Sequence, residues 1–315
     1  GNTYIYIAIR RGPMAVPESA TDVFVTRYRG EDSPSGGSSP PMFYSGWPVD
    51  MAFQNNNLTS STSDFRFSTR LTGVGYLISS ETTAEKTSAS AYTWDDMDGW
   101  INASSTNTNY RSWMWQRRPN FFDVVTWTGN GTSGRTLPHN LGVEPEMIWF
   151  KKRNVARNRY VHHDALGLTK GLALNSTAAE FNFTDLTSKS ATELTLSSGT
   201  NVNSNSDTYI AYLFATLDGI SKVGSFTTTG SDMNIDCGFT NGARFVLIKR
   251  TNTTDDWFFW DSERGITEGN DARLKLNTES AEASADNIDP YSAGFTLLSN
   301  IQGGSGNTFI FYAIA

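Results

Sequence analysis

The chain has 315 residues, a net charge of −7 at neutral pH and no basic stripe, which argues against a nucleic-acid footprint. Hydrophobic residues make up a modest 38%, but 13% are aromatic, so modules of about 95 residues can each own a small core. Cys237 is the single cysteine, which rules out an intramolecular disulfide, and no apolar run approaches the roughly 18 residues of a membrane-spanning helix.

Residues 2–9 open the chain with Asn-Thr followed by aromatic and aliphatic residues, and the same signature ends it at 307–314. It recurs at 207–214 and, more diverged, at 109–115. With Tyr4, Tyr110, Tyr209 and Phe309 in register, the copies stand 106, 99 and 100 positions apart. A period that long belongs to a domain, not to a solenoid turn. Residues 1–11 therefore read as the closing strand of a preceding module in a longer polypeptide. Three tandem modules follow, at 22–116, 123–216 and 222–315.

Each module opens on a strand (22–28, 123–127, 222–226) after a short linker (10–13, 117–120, 217–219). Turn-forming Gly/Asn clusters follow in the second and third modules at 129–131 and 229–231. Next come four apolar residues flanked by cations, 147–150 and 245–248, the pattern of a central strand buried on both faces. The counterpart in module one is placed at 46–53, where Pro48 interrupts the run. A hairpin arm then spans 159–163 and 256–260. The related segments 80–85, 174–180 and 276–282 are predicted as a strand running into a loop. Short alternating strands at 193–196 and 294–297 precede the closing strands.

Short strands punctuated by Gly, Asn, Ser and Asp, with no sustained 3.6-residue apolar period, predict an all-β chain of three tandem antiparallel β-sandwich modules, jelly-roll-like in plan. The closing strand is apolar on both faces, Tyr209, Ala211 and Leu213 against Ile210, Tyr212 and Phe214, so both faces must be covered. The Ser/Gly/Pro-rich stretch 32–41 reads as an exposed connection.

Patterns that carry chemistry are sparse. His162-His163-Asp164 invites a metal reading, but adjacent strand residues point to opposite faces and cannot easily share an ion. Counting back from Gly167 and Gly265, His163 takes the place of Asp261, which suits a polar residue that caps the hairpin. There is no Gly-x-Ser-x-Gly elbow, no Gly-x-Gly-x-x-Gly and no phosphate loop, and Cys237 has no base at a family-like spacing. No catalytic residue, metal ligand or cofactor is assigned, and the chain is not expected to be an enzyme. Trp94-Asp95-Asp96-Met97-Asp98-Gly99 looks like part of a calcium loop. Setting Gly99 as the sixth position puts Ser105 at the twelfth, where a carboxylate is required. Trp94, Asp95, Asp96 and Trp100 remain the candidate ligand-binding set, two exposed rings flanking acids that suit sugar stacking or a non-standard cation. A solvated loop or an inter-module contact is the competing reading.

Several stretches resemble a known repeat family: residues 236–250 ending Phe245-Val246-Leu247-Ile248-Lys249-Arg250, Phe121-Phe122-Asp123-Val124-Val125, Arg10-Arg11-Gly12-Pro13-Met14, and Thr308-Phe309-Ile310-Phe311-Tyr312-Ala313-Ile314-Ala315. They are similar to a repeat family of tailed, largely marine bacteriophages, found in large virion-associated proteins. The resemblance covers essentially the whole chain and is firmest over 121–315. Module one departs most, lacking the Leu-Ile-Lys-Arg strand. What the resemblance implies is a non-catalytic virion component, in a tail fibre or tail appendage that contributes to host-surface attachment. A head decoration or capsid fibre, or a lectin-like carbohydrate-binding module, is the alternative. It implies assembly in the host cytoplasm, other virion proteins and a host surface glycan as partners, and neither nucleic acid nor membrane insertion. Modules are expected to stack head to tail through rigid linkers and to multiply weak contacts. Without disulfides, a homo-oligomer, a trimer first, would bury the aromatic excess.

Overall fold

The computed structural model describes residues 14–34, 36, 40–55, 58–87, 92–103 and 108–315. The strand expected at 2–9, with the closing segment 1–11, lies outside the described residues, as does part of the loop 32–41. Module one contains β1 (Phe24–Tyr28), β2 (Phe43–Tyr44), β3 (Met51–Asn55), β4 (Arg66–Thr69), β5 (Gly75–Ile78), β6 (Lys86–Thr87), β7 (Tyr92–Thr93), β8 (Gly99–Asn102) and β9 (Arg111–Trp115). Module two contains β10 (Phe122–Thr128), β11 (Arg135–Pro138), β12 (Met147–Lys152), β13 (Arg159–His163), β14 (Lys170–Ala173), β15 (Phe181–Asn182), β16 (Leu186–Lys189), β17 (Glu193–Leu196) and β18 (Thr208–Phe214). Module three contains β19 (Ser221–Thr229), β20 (Met233–Asp236), β21 (Phe245–Arg250), β22 (Trp257–Asp261), β23 (Asp271–Lys275), β24 (Ala283–Ala285), β25 (Ile288–Tyr291), β26 (Gly294–Leu297) and β27 (Ser305–Ile314). The short helix α1 (Ser299–Gln302) precedes β27.

All three modules are antiparallel β-sandwiches with one strand order. The larger sheet of module one runs β1-β9-β3-β4-β5-β6 and the smaller β2-β8-β7; the corresponding strands of modules two and three follow the same two orders. Pairing the first strand with the last and the last with the third gives the jelly-roll-like start, after which strands three to six add as a meander. In module one the third strand begins at Met51, not at Gly46 as expected. Proline has no N–H to give to a ladder, so pairing starts only beyond Pro48.

Head-to-tail stacking is not what the chain does. One face of each larger sheet turns toward a single core common to the three modules, which includes Phe53, Trp113, Trp149, Tyr212, Phe245 and Tyr312. Ring contacts cross every boundary: Phe53–Phe259 at 5.7 Å, Phe67–Tyr212 at 6.4 Å and Phe214–Tyr312 at 5.0 Å between centroids. The opposite face of each larger sheet packs on the module's own smaller sheet in a private core. This explains the doubly apolar closing strands. Ile210, Tyr212 and Phe214 enter the shared core, while Tyr209, Ala211 and Leu213 enter the private one. The aromatic excess that suggested an oligomer is thus buried inside one chain.

The linkers repeat as well. Arg118 pairs with Phe122 and Leu217 with Ser221 across tight turns, with Asn120 at φ 64° and Gly219 at φ 72°. Both are residue types that tolerate the left-handed region. The segments 80–85, 174–180 and 276–282 carry no strand; each crosses to a neighbouring module. Glu85 N donates to Arg153 O at 2.6 Å, Glu180 N to Thr251 O at 2.8 Å, and Glu282 N to Leu58 O at 2.6 Å. Module one therefore bonds to two, two to three, and three back to one. The result is a closed ring with a pseudo-threefold axis.

Candidate functional site

The loop 94–100 does not present its aromatic rings. Trp94 is 4% exposed and Trp100 fully buried, and they stack on each other at 5.1 Å with 15° between planes. Trp100 also stacks on Phe43. Their indole N–H groups donate inward, Trp94 Nε1 to Gly73 O at 2.9 Å and Trp100 Nε1 to Ser112 Oγ at 3.0 Å. The smaller sheet closes over the private core of module one and draws both rings beneath it, leaving no face for a sugar. Asp95 stays exposed, and Asp96 Oδ1 accepts from Asp98 N at 2.9 Å within the loop. The four candidates therefore form no common site.

The histidines hold structure together. Met147 faces His163 and Phe245 faces Asp261 in their ladders, so the two residues occupy one position of the repeat. His163 Nδ1 accepts from Ala165 N at 3.2 Å and caps the short turn after β13; burial pushes its pKa down to about 4. His162 Nε2 lies 3.3 Å from Asp164 Oδ1. Asp261 anchors the boundary with module one. Its Oδ2 accepts from Trp113 Nε1 at 2.9 Å and Arg264 Nε at 2.7 Å, and Oδ1 lies 3.5 Å from Arg111.

A cleft of about 780 Å³ opens beside the linker between modules one and two, lined among others by Asp50, Arg70, Arg117, His139 and Asn140. Its charged side chains are paired, Arg70 with Asp50 and Arg117 with Asp123 behind the lining. Arg70 Nε lies 3.6 Å from Asp50 Oδ1, Arg117 N donates to Asp50 Oδ2 at 2.8 Å, and Arg117 Nε meets Asp123 Oδ1 at 2.5 Å. Asn140 N donates to the second oxygen of Asp123 at 2.7 Å. Burial raises the Asp50 pKa against the opposing pull of Arg117 and Arg70. His139 Nδ1 accepts from Leu141 N at 3.3 Å, and Nε2 lies 3.2 Å from Ser190 O, which places the ring proton on Nε2. Burial lowers its pKa, so the ring is neutral near pH 7. An imidazole engaged at both nitrogens with backbone is not poised as a general base. The arrangement ties the linker residue Arg117 to Asp50 of module one and Asp123 of module two.

Two residues with a clear role were read from sequence only as strand-flanking cations. Lys151 Nζ donates to Thr82 O of module one at 2.8 Å and to Arg157 O at 2.6 Å. Lys249 Nζ donates to Thr177 O of module two at 3.1 Å and to Asp255 O at 2.8 Å. Each is an ammonium clamp across a module boundary. The signal was the period of two, because Met147, Trp149 and Lys151 share a face whose first two members are core.

A family model described as "Domain of unknown function (DUF7483)" matches residues 50–315. The chain belongs to this family. The matched span reaches from the start of β3 to the last residue, so a DUF7483 domain takes in all three boundaries of the ring and not a single sandwich. No curated protein matches the chain.

Proposed function

We propose that this DUF7483 protein is a non-catalytic structural component of a bacteriophage virion, built into a tail fibre or tail appendage and contributing to host-surface attachment. The observation that carries this reading is the ring itself, three like sandwiches locked round one aromatic core. Such a unit is stiff, repeats one outer sheet architecture three times over, and gives weak contacts a geometry in which they can add. The ionisable groups of its cleft and boundaries hold modules to one another, as a mechanical part requires. The sequence resemblance to virion repeat proteins supports the assignment. A lectin-like role loses its basis with the burial of Trp94 and Trp100.

The test is to raise antibodies against the purified chain and apply them to intact particles of the source phage under the electron microscope. Label on the tail or its appendages supports the proposal. Label on the head moves the protein to a capsid decoration, and unlabelled particles whose protein content lacks the chain overturn a virion role.

A further inference from the structure

The three sandwiches treat one patch of the larger sheet in three ways. The fourth strand places Arg66, Tyr160 and Phe258 at one position of the repeat, facing Ile78, Ala173 and Lys275 of the fifth. Two residues earlier the fifth strand carries Tyr76, Gly171 and Arg273. Module three covers its ring with cations: the Arg273 guanidinium lies 4.5 Å and Lys275 Nζ 5.8 Å from the Phe258 centroid. Arg273 then reaches Asn287 Oδ1 at 2.5 Å, and Lys275 pairs with Asp256 Oδ2 at 2.7 Å. Module one exchanges the partners, with Arg66 5.1 Å from the centroid of Tyr76. Module two does neither.

Phe183 takes the place of Arg273, stacking on Tyr160 at 5.2 Å with 17° between planes. Its Cβ lies 2.9 Å from where a Cβ on Gly171 would sit, so position 171 carries no side chain. The place of Lys275 stays open. Ala173 ends at its Cβ, the equivalent of Asp256 is the neutral Asn158, and a pocket of about 420 Å³ opens there, lined also by Tyr160, Phe181, Asn182, Asp185 and Asn201. That volume falls within the roughly 300–1,000 Å³ of small-molecule sites. Among the described residues no lysine or arginine lines it.

Its polar groups are held in place. Asp185 is 8% exposed; its Oδ1 accepts from Ser197 Oγ at 3.2 Å and its Oδ2 from Asn201 Nδ2 at 2.7 Å. A Cβ on Gly199 would fall 1.7 Å from Asp185 Oδ1, so the carboxylate sits where only glycine leaves room. The backbone carbonyls of Asp185 and Asn287 accept from Ser197 and Leu298 alike, which makes Asp185 the counterpart of the residue that Arg273 bonds in module three. Here the acid has no ion-pair partner among the described residues. Asn158 Oδ1 accepts from Asn175 Nδ2 at 3.1 Å, while its own amide N–H groups, like the exposed Asn182 amide, have no partner among the described residues.

We propose that this pocket of module two binds a neutral pyranose unit of a surface glycan. Loss of the lysine together with its acid leaves a recess whose one carboxylate is already held by two neutral donors, which does not call for a cation. Tyr160 and Phe181, partly exposed and in edge contact at 6.1 Å, offer apolar surface to the C–H face of a sugar ring. Each oxygen of Asp185 keeps a lone pair for a hydroxyl donor, and the amides of Asn158 and Asn182 can donate to hydroxyl oxygens. The lectin-like reading that rested on Trp94 and Trp100 falls with their burial; this site lies in another module, on residues the sequence did not single out. It deepens the attachment reading by naming the chemistry of the host-surface partner, and rests on that reading only for the source of the sugar.

The full chain is titrated with the methyl glycosides of glucose, galactose, mannose and N-acetylglucosamine, followed by saturation-transfer NMR, and applied to an array of neutral and acidic glycans. The expected result is binding of at least one neutral pyranose with a Kd on the order of 1 mM, the weak range that repetition can amplify. D185N and F181A, which write Asn287 and Ala283 of module three into module two, should each weaken it about tenfold. A173K/N158D, which rebuilds the Lys275–Asp256 pair, should abolish binding while the circular dichroism spectrum and melting temperature stay those of the wild type. Folded wild-type protein that takes no neutral sugar in the titrations or on the array overturns the proposal, and this arm depends on no variant. Binding untouched by A173K/N158D, or tighter for lysine methyl ester than for any neutral sugar, overturns it equally. Particle labelling reports where the chain sits and these titrations report what the pocket takes, so either reading can fail alone.

Discussion

An ammonium taken out of water loses hydration that two carbonyls only partly replace, and this cost lowers the pKa of the clamps. Burial brings Lys151 down to about 7 and Lys249 to about 8. The unfolded chain holds those protons up to about pH 10.4, so between pH 7 and 10 it binds more protons than the native ring. Stability therefore rises with pH through that window. His163 acts in the same direction on the acid side. Its folded value of about 4 lies below the unfolded 6.5, so stability present above 6.5 is lost as pH falls toward 4. Melting temperatures measured at pH 4, 7 and 9.5 should climb in that order, and K151M should flatten the alkaline part of the rise. A wild-type curve that falls from pH 7 to 9.5 would remove the clamp account. Cys237, raised by burial to about 12, opposes the rise from about pH 8.5, where the unfolded thiol ionises first, and Tyr212 and Tyr312, both raised by burial, add to that further into alkali.

Among the elements, the smaller sheets are the least tolerant. Gly294 opens β26 so close to β20 that an added Cβ would lie 2.1 Å from Ile235 O, and Gly99 stands in the same relation to Phe43 O. G294A is expected to destabilise by about 2–3 kcal/mol through overpacking, read as a lower urea midpoint with unchanged slope. At the other extreme of packing, Phe53 touches the rings of Phe65, Phe67, Trp113, Trp115, Phe245 and Phe259. F53A should cost about 3–5 kcal/mol and loosen modules one and three together, because the cavity it leaves is bordered by both. Near-ultraviolet circular dichroism and urea melts would show the two effects; a cost below about 1 kcal/mol would mean the shared core relaxes freely.

Much of this element-level design was legible in advance. Repeat period, strand type and the doubly covered closing strand follow from local alternation, which the sequence carries openly. The partner of the second face did not. Ile210, Tyr212 and Phe214 say only that something apolar covers them; that the cover is two other modules is a long-range fact no window of residues contains. The same gap misplaced Trp94 and Trp100, whose flanking acids suggested solvent although the sheet closes over both rings. Lys151 and Lys249 were hidden by their own type, since a lysine beside an apolar run is ordinarily a solvated edge.

For the molecule as a whole, the decisive quantity is where apolar area is shared. Three beads on a string would melt independently, each with a small core. Here every larger sheet loses the cover of one face if either neighbour leaves. The ring should therefore unfold in one cooperative step, with calorimetric and van't Hoff enthalpies in agreement. Two or three resolved transitions would show that the private cores stand alone and that the common core adds little.

Only two of the three boundaries are spanned by chain, at Arg118 and at Leu217; modules three and one meet without a linker between them. Peptide continuity is then dispensable for holding neighbours together. A protease nick at the exposed Asp218-Gly219 turn would leave both fragments clasped.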